Sequence, residues 1–309
     1  MGKGSGYGKA ILFGEVVAIF GVPVIASALS VVAEAEVVQT SSGGWRIDDE
    51  RREAKGYKEE KRGMQLESLE RIFRFLGRRP ENLRIRVGGD LPAMSGIGAT
   101  GATSVAIVRA LCDEWKISLS DDDVNACSYQ AEIAYHGPTT SGVDNMVSTY
   151  GGVICLTRGE RNVVRRMRWS APVEVVIGDT GIVANTRNQL AALAERKAKW
   201  PDRYNRILSA AAAISREAVA AIENSDFAEI GRLMDRSHSL LQEAEVSCPE
   251  LDRLVDMCRE AGAVGAKLTG SGGGGCMLAL TPGEDLQDRV ASALESRGFQ
   301  TVRSKMGIY

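Results

Sequence analysis

Four short stretches place charged or hydroxyl side chains beside glycine, a combination that lets a ligand approach the backbone closely while a reactive group waits next to it. GKAILFGE, Gly8 to Glu15, sets Lys9 in such a setting. LPAMSGIGATGATSVA, Leu91 to Ala106, runs a Ser/Gly/Ala/Thr loop straight into a helical pattern. Unpaired amides at a helix start, with the positive end of its dipole, form an anion site of the kind that cradles a triphosphate. The loop matches neither GxxxxGK[ST] nor GxGxxG, and a plain tight turn uses the same residue types. YHGPTTSGVDNMVSTYGG, Tyr135 to Gly152, holds Asp144, although an aspartate beside glycine also serves as a turn or cap residue. AKLTGSGGGGCMLAL, Ala266 to Leu280, puts four consecutive glycines against an apolar strand. Each glycine costs about 0.5–1 kcal/mol relative to alanine in a regular element, so close approach to a ligand or to another loop is the expected reason for them.

The elements that must position these stretches follow from hydrophobic spacing. Ala10–Phe13 and Val16–Phe20 read as apolar strands around a Gly14–Glu15 break, and Val31–Val38 as a third. Residues 41–63 are polar and read as a hairpin end and a solvated connecting loop. Leu66, Leu69, Ile72, Phe73 and Leu76 have helical spacing, stopped by Gly77 and Pro80, and Leu83, Ile85 and Val87 alternate as a strand does. Helices are expected over Thr100–Trp115 and, opened by a Ser120 cap, over Asp121–Tyr135. The rest is mostly helical: Thr186–Lys199, Tyr204–Asn224, Asp226–Glu243, Cys248–Ala261 and Leu286–Arg297. Strands are expected at Val153–Leu156, Val173–Ile177, Met277–Leu280 and Gln300–Ser304. The pattern is that of an α+β protein of two lobes, with a seam near Pro172 that divides it into residues 1–172 and 173–309.

Composition narrows the function. The 309 residues carry 38 Lys+Arg against 40 Asp+Glu, a net charge of −2, with both signs interspersed. No basic footprint is present for a polynucleotide or an anionic membrane. Six scattered cysteines without a CxxC pair, and only two histidines, supply no zinc cluster and suit a reduced, cytoplasmic chain. The sequence has neither a signal-peptide pattern nor an 18-residue apolar run. His136 and His238 read as surface or loop residues, and the Arg165–Arg168 cluster as a solvated strand edge.

Taken in this order, the four stretches resemble the GHMP small-molecule kinases. SGVDN-x-VSTYGG with KLTGxGGGGC is similar, within them, to the mevalonate kinase family. The resemblance spans nearly the whole chain. It implies a GHMP kinase fold, with an N-terminal lobe like ribosomal protein S5 domain 2 and a ferredoxin-like C-terminal lobe, binding ATP and a small substrate between them. It also implies ATP- and Mg²⁺-dependent phosphorylation of a hydroxyl on a small hydroxy acid such as mevalonate, a step of isoprenoid precursor synthesis. A homodimer is compatible with it. By the same resemblance Asp144 matches the catalytic aspartate, which takes or orients the hydroxyl proton. Lys9 matches a lysine that offsets charge developing on the transferred phosphoryl. Ser95, Gly96, Ile97, Gly98, Ala99, Thr100, Gly101, Ala102 and Thr103 match the ATP phosphate loop. Thr100 and Glu132 match the oxygen ligands of the magnesium ion. Val16, Ser141, Gly142, Thr186, Gly272 and Gly273 fall at substrate-site positions.

Three departures bear on the substrate. Gly14-Glu15-Val16 stands where the family has Gly-Glu-His, so an apolar branched side chain replaces a polar donor of the substrate pocket. The phosphate loop keeps one hydroxyl of two, and Pro138–Ser141 is one residue longer than its family counterpart. A lost donor can redirect specificity without altering phosphoryl chemistry. A kinase for another small hydroxy compound and a related phosphorylating decarboxylase are the alternatives. A non-enzymatic ligand sensor would be expected to have lost Lys9, Glu132 or Asp144, and all three are present.

Overall fold

β-Branched residues favour the extended Val24–Gln39 (β2), and Gly2–Phe13 (β1), with glycine at 2, 4, 6 and 8, is extended where it pairs with β2. The computed structural model describes residues 1–309 except 79, 139, 161 and 168. Its residues divide into two units. One comprises Met1–Lys9, Ser30–Met94 and Gly98–Gly151; the other comprises Ala10–Leu29, Ser95–Ile97 and Gly152–Tyr309. Strands β1 and β2 each contribute to both.

In the first unit, Trp45–Asp49 (β3) runs parallel to Leu83–Gly88 (β4), which is antiparallel to β2 with Ile85 opposite Val37. The alternation in β4 buries Leu83, Ile85 and Val87. Arg84 and Arg86 lie on the other face and pair with Asp48 and Glu50. Four helices complete this unit: Tyr57–Phe75 (α1), Ala99–Trp115 (α2), Asp121–His136 (α3) and Val143–Tyr150 (α4). Leu69, Ile72 and Phe73 form the buried stripe of α1, which packs on α3, while α2 packs on α3 and α4. At the start of α3 the Ser120 hydroxyl accepts from the Asp123 amide and the Asp123 carboxylate accepts from the Ser120 amide, a complete capping box.

In the second unit, Val153–Thr157 (β5) pairs with Val24–Ser27 of β2 and with Val163–Met167 (β6). Val173–Asp179 (β7), Gly265–Thr269 (β8), Cys276–Leu280 (β9) and Gln300–Met306 (β10) form an antiparallel set in the order β10-β7-β9-β8. Thr186–Lys199 (α5), Pro201–Glu223 (α6), Phe227–Glu243 (α7), Pro249–Glu260 (α8) and Glu284–Glu295 (α9) supply its helices. They bury an apolar cluster that includes Ile207, Leu241, Leu254, Leu268 and Met277. Each such side chain contributes about 1.5–3 kcal/mol through removal from water. Among the described residues, no helix is long and apolar enough to cross a membrane.

Three expectations need correction. Val16–Phe20 is a 3-10 helix rather than a strand: Gly14 and Gly21 turn the chain at either end, and the Ala18 amide bonds back to the Gly14 carbonyl. Residues 41–63 contain β3 and the first turns of α1 instead of a hairpin end, because β3 finds a parallel partner distant in sequence. His238 lies inside α7 and is 1% exposed, and His136 ends α3 against two carboxylates, so neither is a surface residue. The exposed strand edge expected at Arg165–Arg168 corresponds to β6; Arg168 lies outside the described residues, as does Thr139 of the longer segment before Ser141.

Candidate active site

Lys9 projects from β1 and Asp144 from the first turn of α4, and their Nζ and Oδ1 atoms are 2.8 Å apart. Lys9 is buried and Asp144 is partly open to solvent. Burial acts to raise the Asp144 carboxyl, but the Lys9 ammonium and then His136 outweigh it and hold its pKa below the ordinary carboxylate value. Asn145, the next residue, donates through Nδ2 to Asn125 Oδ1 at 2.6 Å and so ties the start of α4 to α3.

The start of α2 lies against both groups. Gly98 has left-handed φ of 69°, and a β-carbon there would stand 2.9 Å from Lys9 Cβ. One at Gly101 would stand 3.0 Å from the Asp144 carbonyl carbon. Any side chain at either position would push the helix start away from the ion pair. No side chain caps α2, which leaves its first amides available to an anion. Thr103 directs its hydroxyl to the Ala99 carbonyl at 2.6 Å. Thr100 instead donates to Glu132 Oε2 at 3.2 Å, so the two threonine hydroxyls in the first turns of α2 face different partners.

Glu132 is fully buried on α3, and its Oε1 has no hydrogen-bond partner among the described residues. One helical turn later, His136 Nε2 lies 3.2 Å from Glu132 Oε2, without the alignment of a hydrogen bond, and 4.0 Å from Asp144 Oδ2. Burial works against protonating this imidazole, but the Glu132 carboxylate, aided by Asp144, raises its pKa above the ordinary value. His136 is the site residue that sequence reasoning missed. Its signal was the i,i+4 spacing from Glu132, which puts both side chains on one helix face. A pocket lined by Arg51, Lys58, Lys61, Ala99 and Thr100 adjoins the same helix start, although the sequence of residues 41–63 reads as mere connection.

The other expected residues serve local geometry. The Ser141 hydroxyl accepts from the Val143 amide at 3.4 Å, and Gly142, packed on the Tyr129 ring, turns the chain into α4. In the second unit, Ser95 accepts from the Ala184 amide, Ile97 is buried, and Gly96 lies back to back with Gly270, where an added β-carbon would come within 2.8 Å of Gly96 Cα. The two glycine-rich loops therefore do approach each other. Gly272 and Gly273 press on Val246 and Gln189. Thr269 both donates to and accepts from the Ile11 backbone. Thr186 begins α5 behind an Asn185 cap, and Val16 is buried in the apolar cluster. Also buried is an ion pair between Lys267 Nζ and Glu15 Oε1. Near it the Leu268 amide donates to His238 Nδ1, and burial lowers that histidine's pKa to about 4, with Lys267 adding to the effect.

Residues 65–152 match the model of the GHMP kinases N terminal domain, and residues 218–300 match that of the GHMP kinases C terminal domain. The mevalonate kinase of Pyrococcus horikoshii is 31% identical over 94% of this chain and 91% of its own length. That of Methanothermobacter thermautotrophicus is 31% identical over 97% and 96%. The crystal structure of L. major mevalonate kinase in complex with R-mevalonate superposes with a TM-score of 0.93, at 32% identity, over 100% of this chain and 96% of that one. Two family models in their proper order, and relatives matched nearly end to end, agree with the fold: the chain belongs to the GHMP kinases.

Proposed function

We propose that this kinase transfers the γ-phosphoryl group of ATP to the primary hydroxyl of mevalonate, giving mevalonate 5-phosphate and ADP. The observation that carries the substrate is the 32% identity, across the whole chain, with an L. major enzyme whose crystal structure is of a complex with R-mevalonate. In this reading Asp144 accepts the hydroxyl proton as the new oxygen–phosphorus bond forms and the bond to the bridging oxygen of ADP breaks. Lys9 offsets the charge that grows on the phosphoryl oxygens. The free amides at the α2 start hold the triphosphate.

The donor set fits a hard divalent cation. Thr100 and Glu132 offer oxygens, and the buried Glu132 Oε1 lacks a protein partner. Mg²⁺ held there would neutralise phosphate charge. Thr100→Ala removes the one loop hydroxyl directed at Glu132, because that of Thr103 is bonded to Ala99. The variant is expected to need several-fold more Mg²⁺ for half-maximal rate and to have a lower kcat; a magnesium titration superimposable on that of the wild type would place the metal elsewhere.

Val16 favours a second reading, a kinase of the same chemistry acting on a less polar hydroxy compound. A buried valine cannot supply the hydrogen bond of the family histidine. ADP release measured over mevalonate, its phosphates and a panel of hydroxy acids and sugars separates the two. Mevalonate is expected to give the highest kcat/KM. No turnover of mevalonate, with turnover of another alcohol, would replace the substrate and keep the kinase.

A further inference from the structure

We propose that Glu132, His136 and Asp144 form a mixed nitrogen–oxygen site in which the imidazole of His136 is itself a ligand, so that the protein binds Mn²⁺ or Co²⁺ without nucleotide. This rests on the reading of Glu132 as a cation-holding residue and adds a ligand to it. One donor atom from each of the three residues lies within 4.8 Å of the others. Two donors on one ion, each about 2.1 Å from it and meeting near 90–110°, stand roughly 3.0–3.4 Å apart. His136 Nε2 and Glu132 Oε2, at 3.2 Å, already have that spacing, and Asp144 Oδ2, at 4.0 Å from Nε2, has to close in by roughly 0.6–1 Å, within reach of a side-chain rotation.

Three further observations point to an ion. Glu132 is fully buried, yet its Oε1 is unpartnered. The Glu132–His136 contact is close without being aligned as a hydrogen bond, so it satisfies neither side chain. Asp144 divides its oxygens, Oδ1 held by Lys9 and Oδ2 directed towards His136, so one carboxylate can serve the lysine and the ion together. Imidazole is a poor ligand for Mg²⁺ and a good one for first-row transition ions. The nitrogen therefore sets a preference for Mn²⁺ and Co²⁺ that oxygen donors alone would give only weakly.

The chain has two histidines, and His238 is buried in α7 of the other unit, which makes the test specific. Pulsed electron paramagnetic resonance of Mn²⁺ bound to the nucleotide-free wild type is expected to show the ¹⁴N modulation of a coordinated imidazole. His136→Gln should abolish it and weaken Mn²⁺ binding, measured by calorimetry, at least ~10-fold. Glu132→Gln should also weaken Mn²⁺ binding, while modulation from whatever ion remains bound persists. Bound Mn²⁺ without ¹⁴N modulation, or modulation that survives His136→Gln, would overturn the inference. Turnover of mevalonate with Mg²⁺, measured on the same wild-type preparation, reports on the proposed function separately: activity without nitrogen coordination removes only this ligand, and nitrogen coordination without activity removes only that substrate.

Discussion

Asp144→Asn is expected to lower kcat by at least ~10²-fold while ATP binding stays close to that of the wild type. The substitution preserves volume and keeps an oxygen beside Lys9 Nζ. It removes the charge that holds the ammonium at 2.8 Å and the group able to take the hydroxyl proton. In the proposed reading nucleotide affinity rests chiefly on the α2 amides, whose geometry depends on Gly98 and Gly101 and not on this carboxylate's charge. The decisive comparison is kcat from steady-state turnover against an ATP dissociation constant measured without acceptor. Near-normal turnover would remove Asp144 from the chemistry, and a parallel loss of ATP affinity would make its role one of binding.

The largest effect on stability is expected at Lys267. Its side chain is fully buried on β8, donates to the Leu268 carbonyl at 2.7 Å and pairs with Glu15, whose second oxygen has no partner. Desolvation lowers the lysine's pKa and the Glu15 carboxylate counters it, so each charge is tolerated there because of the other. Lys267→Met fills the same space and leaves Glu15 alone in dry surroundings, at a cost of about 3–5 kcal/mol. Adding Glu15→Gln removes the orphaned charge and should recover most of the loss. Urea unfolding of both variants is the check. A double variant as unstable as Lys267→Met would show that packing, and not charge, keeps the lysine there.

The candidate site was legible in the sequence through the order of four stretches more than through any one of them. Lys9, Asp144 and the loop before α2 each had a plain structural reading when taken alone, and the structure shows only that the three lie against one another. The Ser120 cap and the start of α5 at Thr186 were readable for local reasons. What failed depended on turns that apolar spacing does not show, or on distant contacts. Val16–Phe20 is apolar and largely β-branched, as strands are, yet the turns at Gly14 and Gly21 leave room only for a tight helical loop. β3 hides in a polar stretch because its outward residues are charged, and what stabilises them is the pair of arginines on β4, some 36 residues away. His136 carried little signal by itself. Only when α3 and α4 bring Glu132 and Asp144 to the same ring does its setting become visible.

A carboxylate held below its ordinary value, as the Lys9 ammonium holds that of Asp144, is a weaker base than a free one, and in the proposed reading this bears on what happens before the acceptor arrives. Such a group gains a proton readily only after the oxygen carrying it has begun to bond to phosphorus and turned strongly acidic, which suits the loose transition state of phosphoryl transfer. A stray water near the nucleotide gets less activation from it than from an ordinary carboxylate. Within the proposed reaction, the weakened basicity of Asp144 therefore restrains futile consumption of ATP, and the choice between water and the proper alcohol falls to whatever holds the alcohol in line.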